Sequence, residues 1–503
     1  MKTIVIALTI VLALALPCTT TGEQNVEKNT PVLLPVKNDP TISFRIWFKV
    51  GSQNDPPGKE GLAAITASML TDASTQKNTY AQIIEKLYPL AASYNATTNV
   101  EMTVIYGRTH KDNLKEFYSL FGDAILLPAF QQEDLDRIKS QVMNYLENTL
   151  RYANDEELGK AVLYNDIYSG TPYGHITAGT IQAVKSITIE DVLDFYKQHY
   201  TRGNVVIGLG GGYHKKLLAA LQKDLQKLPA GALRSAAKPQ PKTINGFNVT
   251  IIEKDAPATA ISMGFPINVL RGSKGWYALA IANSWLGEHR NSSSHLYQVI
   301  REARGLNYGD YSYIEHYPNG GRLQLPPQNV CRRQQIFEIW IRPVPNEARH
   351  FALRAALREF KHLVDKGMSK GDFELTKSFL KKYVLHYAPT TMERLGYALD
   401  DRYYGIKASH LETYRKMMST LTLGDVNAAI KKHWHYENMQ IAIITKDAMA
   451  LKEALVKDIP SPITYSTPKP ESVMNEDKEI SVFPVKVKEE DIKIVPMAEL
   501  FLR

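Results

Sequence analysis

What this chain has little of is informative. Its 503 residues include only two cysteines, Cys18 and Cys331. So few thiols exclude a disulfide framework, and they exclude a thiolate-based structural zinc site, which needs several cysteines close together. Scarce cysteine also suits a protein that folds in an oxidising compartment. A dense basic block is absent as well. The 60 Lys and Arg stand against 52 Asp and Glu, and the resulting +8 is mild for this length. A nucleic-acid binder concentrates basic residues on one face, so nucleic acid is not an expected partner and the charge reads as a solvated surface of both signs. Past the N-terminus, no apolar run approaches the ~20 residues that a membrane-spanning helix needs. Hydrophobic residues at 44% and charged residues at 22% exclude wholesale disorder. The length allows about two to four domains.

Residues 1–22 read as a secretory signal peptide. Lys2 supplies the positive start, and Ile4 to Leu16 is an aliphatic stretch broken only by Thr9. Pro17 ends the stretch, and the small residues Thr20 and Gly22 offer a cleavage site before Glu23. Pro17 directly before Cys18 argues against lipoprotein anchoring at that cysteine. Export to a periplasm is the expectation.

The body divides in two, each half mixing helices with antiparallel-type strands, so the expected class is α+β. In the first half, Thr41 to Val50 alternates apolar and polar residues as a half-buried strand does, and Asn99 to Tyr106 reads as a second strand. Phe117 to Lys160 carries helical periodicity. Thr188 and Asp191 form a capping-box start for a helix presenting Val192, Phe195, Tyr196 and His199 on one face. Asn204 to Leu209 is a strand that runs into Gly210, Gly211 and Gly212. Gly208 to Gly212 lacks the βαβ setting of a dinucleotide loop and reads as a strand leading to a loop. An Ala/Pro/Lys-rich linker covers residues 230–245. Beyond it the order recurs, with strands at Val249 to Ile252, Ala260 to Phe265, Ile336 to Val344 and Met439 to Thr445. Helices are expected at Gly275 to Leu286, Asn346 to Lys366, Lys370 to His386 and Leu423 to His433. The recurrence suggests a remote duplication over residues 29–229 and 246–459. Residues 460–503 read as a tail packed along the surface. Glu288, His289 and His295 sit in an Asn/Ser-rich stretch without fixed helical spacing, which makes a metal site there a poor reading. The sequons at Asn95, Asn248 and Asn291 matter only in a host that glycosylates its exports.

The stretch Gly58 to Leu70, with the strand and turn before it, resembles the start of the M16 (insulinase/pitrilysin, processing-peptidase-like) zinc peptidases. In that family a helix carries His-x-x-Glu-His, two histidines one turn apart that share a Zn²⁺ and a glutamate that activates water. The matching positions here are Ala64, Ala67 and Ser68, and the family's third ligand falls near Asn144 and Tyr145. None is a ligand of the expected kind, so this chain is expected to bind no cofactor. Tyr173 to Gly179, Ile181 to His199 and Arg202 to Val205 are also similar to the family. So are Trp276 to Gly287 and Ser294 to Tyr308. In catalytic members that last segment supplies an Arg and a Tyr seven residues apart, which Arg301 and Tyr308 match. Both are hydrogen-bond donors at neutral pH and suit holding a carbonyl or its oxyanion.

The resemblance implies two similar LuxS/metallohydrolase-like domains forming half a clamshell. It also implies a role: the subunit of an exported heterodimeric zinc endopeptidase that grips peptide substrates without holding metal. An M16-family paralogue with an intact His-x-x-Glu-His would be the partner and carry the zinc. The competing reading is a proteolytically inactive binding or scaffold protein of the same fold.

Overall fold

The computed structural model describes residues 29–232, 236–318 and 323–502. The expected signal peptide lies outside them. In the first half, β1 (Val32–Pro35), β2 (Thr41–Phe48), β3 (Ser93–Thr98), β4 (Thr103–His110) and β5 (Val205–Gly211) form one sheet. Its order is β1-β5-β2-β4-β3. The helices of this half are α1 (Leu62–Thr71), α2 (Tyr80–Leu87), α3 (Leu114–Leu126), α4 (Gln132–Asn144), α5 (Asp155–Ile167), α6 (Ile181–Ser186), α7 (Ile189–His199) and α8 (Lys215–Leu225). A π-helical segment, Tyr145–Ala153, joins α4 to α5.

The second half contains β6 (Phe247–Glu253), β7 (Ala258–Ile267), β8 (Asp310–Tyr313), β9 (Gln335–Pro345), β10 (Met439–Thr445) and β11 (Ile492–Pro496). Its helices are α9 (Lys274–Gly287), α10 (Arg349–Lys366), α11 (Lys370–Tyr383), α12 (Thr391–Tyr404), α13 (His410–Thr420), α14 (Leu423–His433), α15 (Ala448–Val456) and α16 (Glu471–Ser481). The sheet order is β11-β6-β10-β7-β9-β8. With β11 set aside, this repeats the first sheet strand for strand. In both, the two earliest-listed strands are parallel and the remaining pairs antiparallel. The sheets are therefore mixed, where the strand patterns suggested antiparallel pairing throughout.

Each sheet is roofed by a helix from the other half. α5 lies across β7, β10 and β9, while α12 lies across β1, β5 and β2. This corrects the reading of β2 as half-solvated, since seven of its eight residues are buried. Arg45, on the face turned to α12, donates from Nε to the Met392 carbonyl at 3.1 Å and from Nη1 to Asn329 Oδ1 at 2.5 Å. Trp47 packs with Cys331 and Leu399 in the same seam. The glycine run of β5 has its explanation here. A Cβ on Gly210 would lie 3.1 Å from Thr391 Cγ2, and one on Gly208 would lie 2.8 Å from the Arg45 carbonyl oxygen and 3.3 Å from Leu399 Cδ1. The missing side chains let α12 settle on the strand.

Three further expectations need correction. The strand expected at Asn99 begins at Thr103, because the Asn99 N–H closes a turn onto the Met102 carbonyl at 2.7 Å. The carbonyls of Asn99 and Val100 meanwhile accept from Ser52 and Gln53, each at 3.0 Å, which draws the segment out of the ladder. The helical run from Phe117 is broken after Leu126 and resumes at Gln132. The tail does more than cover surface. Ile492 to Pro496, a short run of β-branched residues interrupted by Lys493, adds β11 in parallel beside β6. The carbonyls of Phe501 and Leu502 then accept from the N–H groups of Ile181 and Gln182, each at 2.9 Å, so the tail reaches back to the first half.

Candidate functional site

α1 is the helix on which the resemblance places the metal motif. Gly61 precedes it in a left-handed conformation (φ 102°) and has no side chain with which to cap it. Asp55 does that work: its carboxylate accepts from Gly61 N–H at 2.8 Å and Ala63 N–H at 2.7 Å. Ala64 and Ser68, one turn apart, are half-buried, whereas Ala67 is turned into the core. α4 packs against α1 and ends at Asn144, with Tyr145 following; both are exposed. Two methyl groups, a hydroxyl, an amide and a phenol do not make a zinc site, so the residues do not fit the family's catalytic metal. Among the described residues no group of three or more His, Cys, Asp or Glu side chains is placed to hold a metal ion. His289 Nδ1 lies 2.6 Å from the Tyr313 hydroxyl, and His295 Nε2 lies 2.7 Å from Glu359, so these two histidines serve separate contacts.

Arg301 and Tyr308 lie away from α1 in sequence and at the surface of the second half. Arg301 is in the last turn of the π-helical segment Tyr297–Glu302. Its guanidinium pairs with the neighbouring Glu302 and lies 5.4 Å from the Tyr297 ring centroid. Tyr308, in the loop before β8, is 80% exposed. No hydrogen bond joins the two side chains. A surface ion pair of this kind holds its arginine weakly, so both donors are open to a group arriving from outside.

A cavity of about 420 Å³ lies where the two halves meet. The first half contributes the end of β3 at Thr97 and Thr98, the α5 face at Lys160 and Tyr164, and Tyr168, Tyr173 and His175; Tyr145 also lines it. The second half contributes His316, Tyr317, Val330 and Arg332. The tyrosine hydroxyl protons are spent on the walls. Tyr164 donates to Glu338 Oε1 at 2.6 Å, Tyr168 to the Gln335 carbonyl at 3.1 Å, and Tyr173 to Glu101. Glu338 accepts a second bond from Trp340 Nε1–H at 2.7 Å, and Lys160 Nζ stands 3.8 Å from the Trp340 ring centroid. Burial pushes the Glu338 carboxyl up to about 7 and holds the His316 imidazole well below its ordinary range, so His316 is neutral near pH 7. Ala64, Ala67, Ser68, Arg301 and Tyr308 are not among the lining residues. This cavity is absent from the sequence reading because its walls come from segments more than a hundred residues apart. The one local trace is the recurrence of Lys160, Tyr164 and Tyr168 at helical spacing.

Two duplicated sheets, each with a helix borrowed from the other half, and an α1 whose motif positions carry no metal-ligating side chains define a peptidase-like scaffold. Residues 32–181 match the family model "Insulinase (Peptidase family M16)", and residues 186–380 match "Peptidase M16 inactive domain". The chain belongs to peptidase family M16. A curated relative in Rickettsia bellii, named an uncharacterized zinc protease, is 26% identical over 56% of this chain and 66% of its own length. The match thus spans just under two thirds of that relative. The protein named non-peptidase homolog YmxG of Helicobacter pylori is 21% identical over 80% of this chain and 88% of its own. A crystal structure described as a peptidase M16 inactive domain from Pseudomonas fluorescens superposes with a TM-score of 0.72 at 23% identity. It covers 82% of this chain and 94% of that one, a likeness of fold.

Proposed function

We propose that this chain is the non-metal, substrate-gripping subunit of an exported heterodimeric M16-type zinc endopeptidase. The observation that carries the reading is the pairing of an α1 without ligands with an Arg301 and a Tyr308 that are free of deep structural duties. Hydrolysis would belong to an M16 partner with an intact His-x-x-Glu-His, and zinc to that partner. A guanidinium and a phenol O–H are fixed donors, suited to holding a peptide carbonyl and to stabilising the negative charge that develops on it. Their exposure supports a role in a site completed by a second chain. The relative named a non-peptidase homolog favours a second reading, a scaffold of the same fold that binds without any proteolysis.

The two readings separate on mixing. On the first, the purified chain carries no stoichiometric zinc and cleaves nothing alone, and with an M16 paralogue from the same genome it cleaves unfolded peptides. A stable complex with such a paralogue that never cleaves would support the scaffold.

A further inference from the structure

Among the described residues six arginines are buried, and five have carboxylate, amide or backbone-carbonyl acceptors. Arg271 pairs with Glu315 and Asp400, Arg304 with Glu476 and Asp477, and Arg354 with Asp458. Arg45 donates to Asn329 and Met392, and Arg151 donates to the Leu500 carbonyl. Arg332 is the least supported of the six. It is 3% exposed and lines the cavity between the halves; like Arg45 and Arg151 it has no carboxylate at ion-pair distance, and its Nε, like those of Arg151 and Arg354, is buried without a partner. Its nearby support is the Tyr168 hydroxyl and the rings of Tyr164 and Tyr173, whose centroids each lie 5.5 Å from Cζ.

The acids around it are engaged elsewhere. Glu101 accepts from Arg333 Nε at 2.7 Å, from Tyr403 at 2.8 Å and from Tyr173. Both oxygens of Glu338 are taken by Tyr164 and Trp340, and Lys160 draws Glu157. A guanidinium cannot discharge itself by losing its proton, and burying it with no carboxylate paired to it costs several kcal/mol. The cavity beside it falls within the ~300–1,000 Å³ range of small-ligand pockets. Leu150, Ile176, Val330 and the tyrosine rings give it largely apolar walls. A planar fork of donors at the end of an apolar, aromatic chamber matches a carboxylate on a hydrophobic body.

We propose that this cavity is a carboxylate-binding pocket in which Arg332 receives the terminal or side-chain carboxylate of a short hydrophobic peptide. That the carboxylate belongs to a peptide rests on the gripping reading; its capture by Arg332 does not, since every wall residue belongs to this chain.

The test is calorimetric titration of the full chain with N-acetyl-L-phenylalanine and with its amide. The acid should bind at least about tenfold more tightly, and Arg332→Lys, checked for folding by circular dichroism, should abolish that preference. Tripeptides ending in a free carboxylate, compared with C-terminal amides carrying an internal Glu or Gln, assign the source of the carboxylate. Equal binding of acid and amide, no binding of either at millimolar concentration, or a preference that survives Arg332→Lys would overturn the proposal. Should Arg332→Lys fail to fold, the acid-to-amide comparison on the unaltered chain still decides. Acid-selective binding by a chain that never supports cleavage with a paralogue would keep the pocket and remove the gripping role.

Discussion

Asp55 ties the start of α1 to His175: His175 Nε2 lies 3.1 Å from Asp55 Oδ2, on the same carboxylate that accepts the Gly61 and Ala63 N–H groups. One buried side chain thus fixes α1 against the Tyr173–Gly179 segment that borders the cavity. Burial pushes the Asp55 carboxyl up, opposed by the His175 contact and by both N–H bonds.

Removing this tie should loosen α1 without touching the surface donors. Asp55→Ala leaves two N–H groups of the first turn without an acceptor and should cost about 2–4 kcal/mol. Asp55→Asn keeps part of the acceptor set and should cost less. Urea unfolding of the three proteins measures the order. Equal stability across the series would show that the cap contributes nothing.

Glu338 gives a pH signature with a definite sign. Its carboxyl titrates near 4.5 when exposed and is pushed up to about 7 by burial in the fold. Between those values the folded chain holds a proton that the unfolded chain has lost. Glu338 therefore contributes stability at low pH that falls as pH rises from about 4.5 to 7, by at most ~3 kcal/mol. His289 and His350, held down to about 4 by burial, act in the opposite direction over the same window, because the unfolded chain takes up protons that the folded one refuses. The comparison must therefore be between proteins. From pH 5 to pH 8, wild type should lose more stability than Glu338→Gln, read as the difference in thermal midpoint shifts. Parallel shifts would refute the assignment.

What is legible in the sequence is what short-range chemistry determines. The capping box at Thr188 needs only a hydroxyl and a carboxylate three residues apart, and both bonds are present, with Thr188 N–H to Asp191 Oδ2 at 2.9 Å and Asp191 N–H to Thr188 Oγ1 at 3.3 Å. Val192, Phe195, Tyr196 and His199 are buried, as the helical period implies. β10 spans Met439 to Thr445, the bounds that the sequence suggests. Long-range contacts leave no such mark. Nothing near residue 45 announces that α12, some 350 residues on, will cover the outer face of β2. Arg332 sits in an ordinary Cys-Arg-Arg run whose partners lie in α5 and beside Tyr173. The positions Ala64, Ala67 and Ser68 stand out only against a family pattern, because alanines on a buried helix otherwise read as packing.

The tail offers a direct stability test. Deleting residues 491–503 removes β11, together with Ile492, Met497 and Phe501, all of them buried, and the two backbone bonds to Ile181 and Gln182. At about 1.5 kcal/mol or more for each buried apolar side chain, the loss should exceed ~4 kcal/mol. Limited proteolysis should then cut near α6, which the tail otherwise covers. Unchanged melting and cleavage would make the tail an appendage.

The gripping role stands or falls on cleavage by the reconstituted pair, measured as kcat/KM with an M16 paralogue carrying the intact zinc motif. Arg301→Ala and Tyr308→Phe alter surface side chains, so both variants should fold and associate as wild type does. Each should nevertheless lower kcat/KM by about 100-fold, the scale of losing one oxyanion donor. Full activity in both variants would contradict the claim that this chain supplies the donor half of the site.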